Sequence, residues 1–157
     1  MSNNPPQPNN SEKIQHLREL NKRLNLLLFE TDAVYHEASK RLGLADSDMK
    51  ILYTLCHLGQ QAPLVDVIRL SGINKQTVNS ALRKLEKQDI LYLQNANGRR
   101  KLLCLTSLGQ QLVEKTVLRL IELENEAMLN WTDQETDLYI ELTQRYLQDF
   151  KAKIQKL

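Results

Sequence analysis

The chain has 157 residues, the length of one domain, and its 41% hydrophobic and 25% charged residues are typical of a globular fold. Its longest apolar run, Leu26 to Phe29, is far shorter than the roughly 18 residues that cross a bilayer, and its polar N-terminus lacks a signal peptide's basic and apolar segments. Cys56 and Cys104 belong to no Cys-x-x-Cys pair, which excludes a disulfide framework and a cysteine-rich zinc module. We expect a cytoplasmic protein with reduced thiols and no membrane partner.

The first ten residues differ in composition from the rest of the chain. Residues 1–10 hold three of the four prolines and four asparagines, without a periodic apolar pattern. The sequence therefore predicts a disordered tail over 1–10 and a single domain over 11–157.

A long helix is predicted from Ser11 to about Leu42, because apolar residues recur at helical spacing and no Pro or Gly precedes Gly43. Such a helix would be about 48 Å long. A compact chain of this length has a radius of gyration of only about 15 Å, so the helix extends beyond its own domain. Its apolar stripe then needs a partner chain to cover it, which predicts a homodimer.

The C-terminal part predicts two further helices. One runs from about Ser107 to Asn130, and Thr132 and Glu135 form a capping box that opens the last helix. The last helix has one apolar stripe, made of Tyr139, Leu142, Tyr146, Phe150, Ile154 and Leu157. The terminal helices of two chains can interleave, so we assign residues 11–45 and 106–157 to dimerisation.

Residues 46–105 predict a separate lobe. A helix over Asp46 to Leu58 is followed by a short helix from Pro63 to Leu70 and, after Ser71-Gly72, by a helix capped by Asn74. The runs 90–94 and 99–105 then flank Asn97-Gly98, a strong β-hairpin signal. The predicted fold class is mainly α, a winged helix-turn-helix with a short β-hairpin wing and long N- and C-terminal dimerisation helices.

The helix from Asn74 to Lys87 has one apolar and one polar face. Placing Val78, Ala81, Leu82 and Leu85 inward leaves an outer face without acids. Amide and guanidinium groups can pair with base edges, and hydroxyl and ammonium groups suit phosphates or bases. The residues predicted to bind DNA from this helix are Lys75, Gln76, Thr77, Asn79, Ser80, Arg83, Lys84 and Lys87.

Charge is concentrated in the same lobe. Residues 63–105 contain eight basic and three acidic residues, a net charge of +5, whereas the whole chain has +2 and the remainder therefore −3. At the hairpin tip, Arg99, Arg100 and Lys101 can reach a minor groove and its flanking phosphates. This distribution favours a double-stranded DNA partner.

Two other interpretations of the polar helix remain open at this stage. It can be an ordinary solvated face, or the winged helix can be a protein-interaction module that does not bind specific DNA. An interaction module would need an apolar or acidic outer face, and this face is basic and polar. Salt-sensitive retention on heparin or duplex DNA distinguishes a DNA reader from such a module.

Three stretches resemble the MarR family of dimeric bacterial transcription regulators. They are the segment Ser71 to Lys87, the segment Asn97-Gly-Arg-Arg-Lys-Leu-Leu-Cys-Leu-Thr-Ser-Leu-Gly109, and the long flanking helices, in matching order over nearly all of the chain after the tail. The Leu-Thr-x-x-Gly ending is the most specific part. The resemblance implies a two-fold dimer that binds a pseudo-palindromic operator, usually as a repressor, and that a small-molecule effector can release.

The sequence departs from the family pattern at two places. Asn97 stands where the family often has an Asp that orients the wing arginine. Asp89 stands where Gly often ends the recognition helix, and Leu91 to Leu93 replaces a strand that often begins with Arg. Asp tolerates a left-handed backbone at some cost relative to Gly. The missing strand Arg removes one phosphate contact, so we expect modest affinity for DNA.

Catalytic and cofactor motifs are missing from the sequence. It has no Gly-rich phosphate loop, nucleophile elbow or paired-carboxylate site, so we expect no enzyme activity, no catalytic residues and no cofactor. His16, His36 and His57 are scattered, which argues against a metal site, although His36 with Glu30, Asp32 and Glu37 leaves one option open. Cys56 and Cys104 are interpreted as small buried hydrophobic residues.

Overall fold

The computed structural model describes residues 10–96 and 100–157. Within them the chain forms seven helices and three strands, in the order α1 (Asn10–Arg41), α2 (Asp46–His57), β1 (Gln61–Pro63), α3 (Leu64–Leu70), α4 (Lys75–Lys87), β2 (Leu91–Ala96), β3 (Arg100–Leu105), α5 (Ser107–Lys115), α6 (Val117–Met128) and α7 (Asp133–Ile154). The mainly α winged helix-turn-helix predicted from the sequence is confirmed. No helix in this part of the chain is both long and apolar enough to cross a membrane.

Helix α1 is the single long helix that the sequence predicted, with 32 residues and hence a length of about 48 Å. It begins at Asn10, so the last residue of the predicted tail is helical, and residues 1–9 lie outside the described part. Within residues 10–41 only Ser39 is buried. The helix therefore packs on its own chain near its C-terminal end alone.

The core lies in the lobe between the two long terminal helices. Helix α4 contributes Val78, Ala81, Leu82 and Leu85, the four residues predicted to face inward, and all are buried. They pack with residues of the other helices and strands of the lobe, chiefly Ile51, Leu52, Leu55, Val67, Leu91, Leu103, Val113 and Val117. Val113 and Val117 belong to the segment assigned to dimerisation, so α5 and the start of α6 also complete the core of this lobe.

The sheet has the strand order β1-β3-β2, and both pairs are antiparallel. The hairpin of β2 and β3 was predicted, with strand ends shifted by one or two residues. Strand β1 was not predicted, because three residues are too short to show an alternating pattern. Pro63 ends β1 and precedes α3 as its N-cap, so the expectation that it lies in the first helical turn is wrong.

The helix predicted from Ser107 to Asn130 is interrupted at Thr116, where φ is −127° and ψ is −86°. The Thr116 hydroxyl donates to the carbonyl oxygen of Leu112 at 2.7 Å, an arrangement that often bends helices. The apolar periodicity continues through this break because both Val113 and Val117 face the core. The sequence pattern alone therefore could not separate α5 from α6.

The start of α5 explains the Leu-Thr-x-x-Gly stretch physically. Thr106 caps α5 by accepting the amide of Gly109 at 2.9 Å, and its own amide donates to Ile90 at 3.1 Å. A Cβ at Gly109 would lie 1.9 Å from the Ile90 carbonyl oxygen. Only glycine allows α5 to approach the backbone between α4 and β2 this closely.

Helix α7 begins with the predicted capping box, in which Thr132 and Glu135 bond each other's backbone amides. None of residues 133–154 is buried. Its apolar stripe is exposed, including Tyr139, Phe150 and Ile154 at 43–51% of their full surface. Helix α7 thus carries an apolar face that its own chain does not cover.

Candidate nucleic-acid interface

Helix α4 begins as the sequence predicted, with a side-chain cap at Asn74. Its Oδ1 atom accepts the amide of Thr77 at 2.9 Å and the hydroxyl of Thr77 at 3.0 Å. Thr77 is half-buried, and its bonds to Asn74 stabilise the start of the helix. This contact leaves Thr77 less available to a ligand than its neighbours are.

The outer face of α4 is centred on Arg83. At 100° per residue, Gln76, Asn79, Ser80 and Lys87 lie within about 60° of it, and Lys75 lies about 80° away. All of these side chains are exposed. Glu86 is exposed as well, about 60° from Arg83 on the same side as Lys75, so the expectation of a face without acids is wrong at this flank.

Lys84 differs from the other predicted DNA contacts. Its ammonium group forms an ion pair with Asp48 of α2, whose side chain is only 5% exposed. An ammonium group held there is directed toward the body of the lobe and away from the Arg83 face. The sequence predicted Lys84 as a DNA contact flanking the outward-facing residues; in the structure its side chain is half exposed and is paired with Asp48.

The described part of the wing places one predicted residue beside α4. Lys101 is exposed on β3, where it pairs with Asn95 of β2. Lys101 and Lys75 line the same open depression of about 680 Å³, together with Asp66. Arg99 lies outside the described residues, as does the side chain of Arg100.

The first turn of α2 joins the lobe to α1. Asp46 accepts hydrogen bonds from the Ser39 hydroxyl and the His36 ring. These bonds, the first from Ser39 and the second from His36, hold the pKa of Asp46 below its ordinary value. Asp46 and Asp48 thus connect α2 to two different helices.

A second cavity, of about 310 Å³, lies between α1, α2 and the end of α3. Its wall is mainly aromatic and apolar, and it includes Lys50. The Nζ atom of Lys50 lies 3.3 Å from Oδ1 of Asp32. The lining residues are Tyr35, Met49, Lys50, Tyr53, Thr54, His57, Leu58, Leu70 and Ser71. The sequence did not identify this cavity, because its residues come from three helices and share no local motif.

Glu124 of α6 connects the helices beside this cavity. It accepts a hydrogen bond from the Tyr35 hydroxyl and one of 2.7 Å from the Tyr53 hydroxyl. Burial, followed by the bond to Glu124, raises the pKa of Tyr35 to about 12 and also raises the pKa of Tyr53. Both phenols therefore stay protonated donors at neutral pH.

The candidate metal ligands around His36 do not meet. His36 pairs with Asp46, Asp32 with Lys50, and Glu37 with Arg41. In the ranges 10–96 and 100–157, no three His, Cys, Asp or Glu side chains come together as a metal ion would require.

The two cysteines have different surroundings. Cys104 is buried on β3, as expected, with its sulfur 3.7 Å from Oε1 of Gln94. Cys56 is only half-buried, and burial raises the pKa of its thiol to about 11. A thiol with this pKa reacts slowly as a nucleophile at neutral pH.

These elements define a winged helix-turn-helix protein with long helical arms, the fold of MarR family transcriptional regulators. A MarR family regulator from Neisseria meningitidis superposes with a TM-score of 0.75 at 20% identity, over 90% of this chain and 97% of that one. The S. aureus MepR–DNA complex superposes with a TM-score of 0.61 at 19% sequence identity, over 82% of this chain and 96% of that one. Bordetella bronchiseptica BpsR superposes with a TM-score of 0.59 at 20% sequence identity, over 79% of this chain and 98% of that one. The DNA binding of BpsR is regulated by 6-hydroxynicotinic acid.

The likeness at these identities concerns the fold. In sequence, no protein-family profile and no curated protein matches the chain.

Proposed function

We propose that the chain is a homodimeric transcription regulator that binds double-stranded DNA of specific sequence in the cytoplasm and represses by occupying a pseudo-palindromic operator. The observation that carries this proposal is the outer face of α4, where Gln76, Asn79 and Arg83 are exposed together on the second helix of a winged helix-turn-helix. The likeness to a protein solved on DNA supports the same assignment.

The exposed groups divide naturally into two roles. Gln76 and Asn79 can pair with adenine and Arg83 with guanine through two hydrogen bonds each. Lys87 and Ser80 flank them and suit phosphate oxygens, which position the protein without reading sequence. Lys75 and Lys101 line one depression and are suited to a single stretch of DNA backbone.

Uncovered apolar surface on α1 and α7 supports the proposed dimer. Phe29 of α1 is 71% exposed and Phe150 of α7 is 50% exposed. A groove of about 650 Å³ between α1 and α6 exposes further apolar surface, including Val34 and Leu123. A second copy of the chain, with its own α1 and α7, is the occupant that would cover all three surfaces in one two-fold interface.

The proposed effector is a small aromatic acid bound in the cavity of Tyr35 and Tyr53. Two aromatic rings can pack against a ring, and Lys50 at the edge can pair with a carboxylate after leaving Asp32. A neighbour whose DNA binding is regulated by 6-hydroxynicotinic acid supports this class of ligand. Titrating benzoate and 6-hydroxynicotinate into the protein–DNA complex should release DNA, and Lys50→Met should weaken that release.

Selection of bound sequences from random duplex DNA tests the proposed function. We expect an inverted repeat whose half-site centres lie about 10 bp apart, because a two-fold dimer presents two equivalent recognition helices. Arg83→Ala should cost about 1–3 kcal/mol per lost base contact and relax preference at particular positions. Arg119→Ala, which changes an exposed arginine on α6 outside this face, is the matched control and should leave affinity unchanged.

An interaction module is the competing function. Its winged helix would bind protein, and retention on duplex DNA would be weak and insensitive to salt. Loss of retention between about 50 and 200 mM salt supports the DNA reader.

A further inference from the structure

Two carboxylates in the first turn of α2 hold two other helices. Asp46 bonds Ser39 and His36 of α1, the helix assigned to dimerisation, and Asp48 pairs with Lys84 of α4, the recognition helix. The two aspartates are two residues apart, so their side chains point in nearly opposite directions, about 160° apart, around α2. One helical turn of α2 therefore contacts both α1 and α4.

The burial of Asp48 makes its link to α4 specific. The Asp48 side chain is 5% exposed, whereas the Lys84 side chain is 50% exposed. A buried carboxylate needs a partner, and Lys84 supplies it from the last turn of α4, where positive charge is also favourable. Lys87 lies one turn later on α4 and forms no ion pair with the residues that the structure describes.

We propose that the first turn of α2 is a joint that fixes the recognition helix relative to the dimer arm, and that Lys84 is a positioning residue within it. The proposal rests on the proposed function, because the joint matters for a dimer that reads two half-sites. Without the ion pair, α4 is held to α2 by its buried apolar residues alone. We expect α4 then to shift, so that the dimer accepts half-sites at more than one separation. A lysine that merely contacts phosphate has no such effect.

The test compares Lys84→Met with Lys87→Met on the selected inverted repeat and on repeats with one base pair added or removed between the half-sites. Lys84→Met should lower discrimination between spacings by about fivefold or more, with an unchanged logarithmic salt slope. Lys87→Met should keep the spacing preference and lower the salt slope by up to about 1.8, since each dimer loses two phosphate contacts. A salt slope for Lys84→Met that falls like that of Lys87→Met would overturn the proposal.

Separate control experiments distinguish a folding defect from a failure of the proposed function. If Lys84→Met does not fold, Asp48→Asn with Lys84→Met removes both charges and should show the same loss of spacing preference. Spin labels at Ser80→Cys measure the distance between recognition helices without DNA, and Lys84→Met should widen the distribution. An unchanged distribution with only a lower melting temperature would reject the joint, whereas failure of the wild type to select any inverted repeat would reject the proposed function.

Discussion

Gly109 is the residue at which the fold tolerates least change. A Cβ there would lie 1.9 Å from the Ile90 carbonyl oxygen, and backbone cannot yield as a flexible side chain does. We expect Gly109→Ala to lower the free energy of unfolding by at least about 2 kcal/mol. Urea denaturation measures this loss, with Gln110→Ala, an exposed neighbour on the same helix, as the control. Equal stability of the two variants would mean that α5 does not approach Ile90 as described.

Tyr35 and Tyr53 give a prediction for alkaline pH. The pKa of Tyr35 is raised to about 12 and that of Tyr53 is raised as well, first by burial and then by the bond to Glu124. A raised pKa adds stability below the unfolded value near 10, and this stability is lost as pH rises through the folded pKa. In an absorbance titration at alkaline pH, two of the five tyrosines should ionise late. A single transition of all five near pH 10 would contradict the Glu124 network.

The segments that follow α2 and α4 each contain a non-glycine residue in the left-handed backbone conformation. Asp89 follows α4 with φ of 57°, the left-handed conformation that the sequence had suggested for it, and Gln60 follows α2 with φ of 67°. Gln60→Gly should raise the free energy of unfolding by about 0.5–1 kcal/mol, because glycine adopts this conformation without strain. Gln61→Gly, in the extended strand β1, should lower it by about the same amount. Thermal or urea unfolding that ranks the two variants equally would argue against the backbone at Gln60.

The elements that the sequence predicted are those with a strong local signal. The long apolar stripe predicted α1, the Asn74 cap and four inward residues predicted α4, and the Asn97-Gly98 sequence predicted the hairpin. The break at Thr116 was missed because the core contacts of α5 and α6 continue the same period. Strand β1 was missed because it exists only through its pairing with β3.

Only part of the candidate site could be predicted from the sequence. The exposed side chains of α4 follow from helical geometry once its buried face is known, so the sequence located Gln76, Asn79 and Arg83 correctly on the surface. The orientation of Lys84 depends on Asp48, 36 residues earlier, and the bonds of Tyr35 and Tyr53 depend on Glu124. Contacts between residues so distant in sequence leave no periodic trace in it.

At the scale of the whole molecule, the terminal helices should decide the oligomeric state. Deleting residues 133–157 removes α7 and uncovers the apolar surface against which it packs in the proposed dimer. We expect the truncated chain to sediment as a monomer or to aggregate, and the intact chain to sediment as a dimer at micromolar concentration. A stable monomer of the intact chain would remove the basis for two-fold DNA recognition.

In the proposed dimer, two copies of α4 read two half-sites together. The most direct measurement is sedimentation equilibrium of the intact protein with the selected duplex, together with a footprint of the complex. We expect two chains per duplex and two matched protected halves whose centres lie about 10 bp apart. Two results would contradict two-fold recognition: one chain that binds a single half-site as tightly as the full inverted repeat, or binding without sequence preference.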